Sequence, residues 1–171
     1  MPEHVQHPFP PIFNAHSEIL ILGSFPSVKS REQRFFYGHP QNRFWRVTAA
    51  VFGCAVPQTI EEKRAFLLSH RIALWDVIAS CEITGSSDSS IRNVIPNDLT
   101  PILSAAKIRE IFVNGGTAAK YYEKYQKPVL HRAAVRLPST SPANAAWSLE
   151  RLTAAWQVIR MDPQPGQGEN R

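Results

Sequence analysis

Unbroken apolar runs alternate with helically spaced apolar residues along this chain. Ile19-Leu20-Ile21-Leu22 has no polar interruption and stops at Gly23, which predicts a strand covered on both faces, as in a parallel sheet. Phe44, Val47, Val51 and Phe52 recur at helical spacing within residues 42–53, and Gly53 supplies the stop. Residues 60–69 predict a second helix, with Glu61 and Glu62 in its first turn, where negative charge favours the dipole. A short strand is expected over 72–78, a polar loop over 84–90, and a helix opened by Asp98 as its cap. Residues 108–113 predict the next strand, which runs into Asn114-Gly115-Gly116. A helix carrying Ala118, Ala119, Tyr122 and Tyr125 follows, then a last strand over 133–137 and a closing helix over 145–159.

Strands alternating with helices mean an α/β protein: a three-layer α/β/α sandwich around a central, mostly parallel four-stranded sheet. No repeat or linker divides the 171 residues, so one domain is expected, with its core over about 17–160. Pro2, Pro8, Pro10 and Pro11 break residues 1–16 into what reads as a loose arm. The Pro-, Gln- and Gly-rich end after Met161 reads as disordered. Gly23-Ser24, Asn114-Gly115 and Leu137-Pro138-Ser139 all fall at carboxyl ends of predicted strands, the edge at which open α/β sheets bind ligands.

Composition narrows the class. A net charge of +5 favours acidic partners, nucleic acid among them. Cys54 and Cys81 are isolated, without zinc-site or disulfide spacing, and two thiolates are too few for an iron–sulfur cluster. No basic-then-apolar leader opens the chain, and no window approaches the ~18 apolar residues of a membrane span. A cytoplasmic protein with no metal, no cofactor and no membrane attachment is expected.

The candidate chemistry sits in three stretches. In Gly23-Ser24-Phe25-Pro26-Ser27, a residue without Cβ and a proline-fixed turn let backbone N–H groups approach a base edge or a phosphate; an ordinary βα turn is the plain alternative. Tyr37 and His39 lie in the following loop, where the Tyr37 ring can stack on a nucleobase, and Asn42 either caps the next helix or presents its amide to a ligand. Ser139, Thr140 and Ser141 offer hydroxyls to phosphate oxygens, or cap the final helix, with Pro142 and Asn144 in the stiff turn beyond them. Asn114 and Gly115 lead into a helix start that suits phosphate, and Arg43 and Lys120 add positive charge.

Taken together at these spacings, the stretches resemble the uracil-DNA glycosylase superfamily over residues 17–160. Gly23-Ser24-Phe25-Pro26-Ser27 is similar to its first motif and Leu137-Pro138-Ser139-Thr140-Ser141-Pro142 to its second. Tyr37-Gly38-His39-Pro40-Gln41-Asn42-Arg43-Phe44-Trp45 resembles a segment of the mismatch-specific uracil/thymine enzymes. The first motif here has neither the Asn of those enzymes nor the Asp of the uracil-specific ones, and the second lacks the His or Arg often found there. The branch that looks like this is the hypoxanthine (deoxyinosine) DNA glycosylases, whose important amide maps onto Asn42. The resemblance implies a monomeric, monofunctional, metal-free enzyme that flips a deaminated base out of DNA, hydrolyses its N-glycosidic bond and leaves an abasic site. By the same resemblance Gly23, Ser24, Phe25, Pro26, Ser27, Tyr37 and His39 would bind the base. Arg43, Asn114, Gly115, Lys120, Ser139, Thr140, Ser141, Pro142 and Asn144 would hold DNA. Two alternatives stay open: a uracil-active enzyme, and a lesion-binding module without catalysis.

Overall fold

Alternate residues of the first apolar run face opposite ways in the computed structural model, which describes residues 2–160. Ile19 and Ile21 join one hydrophobic cluster, Leu20 and Leu22 the other, and none of the four is more than 4% exposed. They belong to β2 (Ile19–Gly23), an interior strand of a four-stranded sheet with β3 (Ile72–Asp76), β6 (Glu110–Asn114) and β7 (Val135–Leu137) in the order β3-β2-β6-β7. Every pairing in it is parallel.

Helices α2 (Phe44–Phe52), α3 (Ile60–Ser69) and α7 (Leu149–Trp156) contribute Phe44, Val47, Leu67, Leu152 and Trp156 to the cluster on one face. The other face is covered by α4 (Thr100–Ala105) and α5 (Gly116–Tyr121), through Ile102, Ala118 and Tyr121. These are the three expected layers. Gly53 ends α2 at φ +67, and the Thr59–Glu62 capping box opens α3. The chain continues α5 through a π-helical turn, Tyr122–Gln126, into the short α6 (Lys127–Leu130).

Three expectations need correction. The N-terminal arm is not loose: β1 (Glu3–Gln6) pairs antiparallel with β4 (Ile78–Ile83), Ile12 bridges to Leu74, and Phe9 and Ile12 are buried. The strand expected over 72–78 is two strands, β3 and β4, in different sheets. Asn97 Nδ2 brackets the break by donating to Asp76 O and Ile78 O at 2.8 and 3.1 Å. With β5 (Arg92–Pro96), β4 and β1 make a second, antiparallel sheet that the apolar pattern did not indicate. The closing helix begins at Leu149, because Ser148 caps it and the preceding carbonyls are bound elsewhere. The expected disorder after Met161 lies outside the described residues. Among those described, no helix is long and apolar enough to cross a membrane. The strand ends, with the loops behind them, form one edge on which the functional residues gather.

Candidate active site

At that edge lies a cavity of about 290 Å³, walled by Gly23 to Ser27, Tyr37, His39, Asn42, Asn114 and Ser139 to Ala143. Each of the three sequence stretches contributes to it. The first-motif turn is held by its neighbours: Gly23 O and Ser24 O accept from Val77 N and Ile78 N, and Ser27 Oγ caps α1 (Val28–Gln33) by accepting from Ser30 N at 3.2 Å. The N–H groups of Ser24, Phe25 and Ser27 have no hydrogen-bond acceptor among the described residues. Successive free N–H groups in a turn make an anion-binding concavity. Phe25 is buried with its ring 6.0 Å from that of His7, so this residue also anchors the turn to the core.

Asn42 both braces the start of α2, one residue before the Arg43 N-cap, and faces the cavity. Its Oδ1 accepts from Phe44 N at 2.9 Å, which starts α2, whereas Nδ2 donates to nothing among the described residues. The end of the amide left for a ligand is therefore the donor. His39 Nδ1 accepts from Gln41 N at 3.1 Å, and its carbonyl accepts from Asn42 N, so His39 shapes the loop that carries the amide.

Tyr37 differs from the expected open stacking platform. One ring face lies on Phe44, with centroids 4.1 Å apart and planes 12° from parallel, and its hydroxyl accepts from Asn114 Nδ2 at 3.2 Å. Its φ of +52 is unusual for an aromatic residue and brings the hydroxyl beneath Gly23. Burial pushes the Tyr37 pKa far up, the charge of Asp76 adds to this, and the Asn114 bond opposes it. The hydroxyl is a permanent donor.

The second motif is knitted together before any ligand arrives. Thr140 is fully buried; Asn114 Nδ2 donates to its Oγ1 and Asn114 Oδ1 accepts from its N–H. Ser139 Oγ and Ser141 Oγ accept from Ser141 N and Ala143 N, each at 3.1 Å, which leaves both hydroxyl protons free to donate. Asn144 Nδ2 braces Ser139 O, and Trp156 Nε1 holds Pro138 O at 2.9 Å. Pro142 completes the rim of the cavity.

Arg43 does not point to solvent phosphate. Its guanidinium donates to the carbonyls of Trp147, Ser141 and Asn144, latching the second motif to the start of α2. Gly115 N donates to Leu137 O at 2.9 Å, so that N–H is spent on joining β6 to the end of β7. Lys120 lies outside the cavity wall with its ammonium 5.3 Å from the Tyr121 ring centroid.

Two carboxylates in this cavity were passed over in the sequence. Asp76, the last residue of β3, is buried and bonded to His7 Nε2 at 2.7 Å. Asp88, in the polar loop, reaches Ser24 Oγ at 3.5 Å. That loop is pinned to α1, directly after the first motif: Ser86 Oγ accepts from Val28 N, and Gly85 O from Arg31. Although much of Asp88 is open to solvent, its carboxyl is crowded by protein atoms, and this desolvation raises its pKa. Bonds from Thr117 and Ser24 oppose the rise and the charge of Asp76 adds to it. A lone acid ending an apolar run was the available signal for Asp76; nothing local singles out His7.

Residues 10–160 match the description of the uracil DNA glycosylase superfamily. The chain belongs to that superfamily. Membership makes it a DNA glycosylase, and its sandwich is the fold of a solved relative. The chain is 33% identical, with a TM-score of 0.74, to the solution NMR structure of a Methanosarcina acetivorans protein assigned to the uracil DNA glycosylases; the match covers 89% of this chain and 96% of that one. Two curated relatives bear the name hypoxanthine DNA glycosylase. The one from Methanosarcina acetivorans is 35% identical over 157 residues, 91% of this chain and 98% of the relative. The one from Methanosarcina barkeri is 30% identical over 149 residues, 86% and 93% of the two chains.

Proposed function

We propose that this glycosylase removes hypoxanthine from deoxyinosine in DNA, by hydrolysis and without a covalent intermediate, and leaves an abasic site. The observation that carries the reading is the pairing of the donor end of Asn42 with the unspent N–H groups of Ser24, Phe25 and Ser27 in one cavity. The names of the two curated relatives support the choice of base.

A base inside a duplex is out of reach, so the nucleotide must swing into the cavity. Breaking its N-glycosidic bond drives negative charge onto the departing base and positive charge onto the sugar, as in glycoside hydrolysis. Asn42 Nδ2 and the first-motif N–H groups supply preorganised donors for the departing anion. An amide is no general base near neutral pH, so the water needs another partner. Asp88, bonded to Ser24, takes the water-orienting part that a first-motif carboxylate would otherwise play. The hydroxyls of Ser139 and Ser141 grip the backbone phosphates, and no Lys lines the cavity as a Schiff-base nucleophile.

Because the Asp88 carboxyl must be ionised to orient water and its pKa is raised, excision falls on acidification at a pH above the ordinary aspartate value of 3.8. The single-turnover pH profile of Asp88→Asn, compared with the parent, should lack that acid limb and be slower throughout. An unchanged acid limb would remove Asp88 from the reaction. The Arg43 latch gives a second expected result. Arg43→Lys cannot span three carbonyls, so it lowers the melting temperature and slows excision. The slope of log K against log[salt] for DNA binding stays as in the parent; a slope shallower by about one would mean a phosphate contact instead.

The base choice is tested by incubating the protein with duplexes carrying one hypoxanthine or one uracil and cutting abasic sites with hot alkali. Strand cleavage at hypoxanthine is expected. Cleavage at uracil alone would move the substrate, and tight binding without cleavage of either would leave a lesion-binding module.

A further inference from the structure

Asp76 is buried at a cost that the fold alone does not explain. Its side chain and that of His7 are 5% and 3% exposed. Oδ2 is bonded to His7 Nε2, but Oδ1 has no hydrogen-bond partner among the described residues, and Asp76 lines the cavity. A carboxylate taken out of water with half its acceptors unspent is expensive unless something else supplies a donor.

His7 is arranged to hold this group. The arm that carries it is fixed by β1 and by His7 N donating to Ala79 O at 2.8 Å. The imidazole sits among Phe9 and Trp75, with ring centroids 4.5 and 4.3 Å away. Its Nδ1 is buried without a partner. An unpartnered lone pair is cheaper there than an unpartnered N–H, which places the ring proton on Nε2, where it donates to Asp76.

The free Oδ1 has a complementary neighbour. A Cβ built on Gly23 would lie 2.5 Å from Asp76 Oδ1 and 3.0 Å from the Tyr37 hydroxyl. An acceptor and a donor thus converge over one glycine, and only the absence of a side chain there lets both come so close to the first-motif backbone. The Tyr37 oxygen accepts from Asn114, and its own proton has no acceptor among the described residues.

Deamination has one signature at the edge of a base. In adenine and cytosine a bare ring nitrogen, an acceptor, stands beside an amino donor. In hypoxanthine and uracil a ring N–H stands beside a carbonyl. The polarity of the edge is inverted. We propose that Asp76 Oδ1 and the Tyr37 hydroxyl read this inverted edge, the carboxylate taking the ring N–H and the hydroxyl giving its proton to the carbonyl, with His7 as the positioning residue. Undamaged adenine or cytosine would set a lone pair against the carboxylate and an amino group against the hydroxyl proton, so rejection comes from repulsion as much as from lost bonds. This deepens the base-excision reading above and rests on it for the identity of the ligand.

The test is equilibrium binding, which does not depend on turnover. Duplexes carry 2′-fluoroarabino-deoxyinosine or 2′-fluoroarabino-deoxyadenosine, sugars that resist cleavage, opposite the same base. The parent protein should prefer the deoxyinosine duplex, and Asp76→Asn should shrink that preference on the order of 10–100-fold, the worth of a hydrogen bond to a charged group. Tyr37→Phe, which keeps the ring on Phe44, should shrink it less. His7→Phe should shrink it and lower the melting temperature, because the buried carboxylate loses its bonded donor, and His7→Gln, whose amide can still donate, should restore part of both. A preference unchanged in Asp76→Asn and Tyr37→Phe would overturn the assignment, as would a parent with no preference. A parent that prefers deoxyinosine in this assay but excises nothing would sink the hydrolase reading and leave the edge-reading pair standing. Should Asp76→Asn fail to fold, the Tyr37→Phe ratio decides.

Discussion

Replacing Asn42 by Asp should slow excision about as much as replacing it by Ala, on the order of 10²–10³-fold, the usual cost of losing one preorganised donor to a developing anion. The two variants should nevertheless differ in stability. Asn42 Oδ1 braces the start of α2 by accepting from Phe44 N, and an aspartate oxygen keeps that bond while an alanine cannot. Asn42→Ala should therefore lose about 0.5–1.5 kcal/mol, the typical net worth of one hydrogen bond, and Asn42→Asp little. What both variants lack is the Nδ2 donor, and the carboxylate of Asn42→Asp would in addition oppose the charge of the leaving base. A purely structural Asn42 would give the other pattern: an aspartate variant of nearly parental rate. Single-turnover rates and urea midpoints on the same preparations separate the two roles.

Gly115→Ala should destabilise the protein by about 2–5 kcal/mol, combining backbone strain with steric overlap. Gly115 has φ +96 and ψ 171, a region that only glycine occupies without strain. An added Cβ would also stand 2.9 Å from Ser139 Cβ, which cannot swing aside as a chain tip would. Relief requires moving either the Gly115 N–H off Leu137 O or Ser139 out of the cavity wall. Both movements displace the second motif, so excision should fall with stability. Against a total folding stability of about 5–15 kcal/mol this is a large loss, and the urea midpoint should drop by about 1–2 M with its slope unchanged. A parental midpoint would mean that the Gly115 backbone is freer than its geometry implies.

The layered core was legible because local pattern and long-range packing agree there. Ile19 to Leu22 are apolar on both faces, and both faces are covered; Gly53 follows an amphipathic run, and it stops a helix. Asn42 at a helix start and glycines at strand ends were readable for the same reason. The antiparallel sheet was not, since β1 and β5 carry mostly exposed residues and exist through their pairing with β4. For β1 that partner lies far along the chain, information absent from any window. The aromatic residues show the limit at the site. Sequence places Tyr37 in a glycine-flanked loop, but the choice of Phe44 as the ring it covers is made by the packed core. Asp76 and His7 illustrate the converse: a strand end and a proline-broken arm, unremarkable apart, become one buried pair only when β1 crosses to β4.

The measurement that bears most directly on the central claim is the intact mass of both strands of a deoxyinosine duplex after single turnover, read before any alkali. The account predicts a lesion strand that has exchanged hypoxanthine for a hydroxyl, an unbroken partner and free hypoxanthine in solution, and, over the same time with Asn42→Asp, a lesion strand of essentially unchanged mass. A lesion strand of unchanged mass with the parent protein, or one already broken at the lesion, would contradict it.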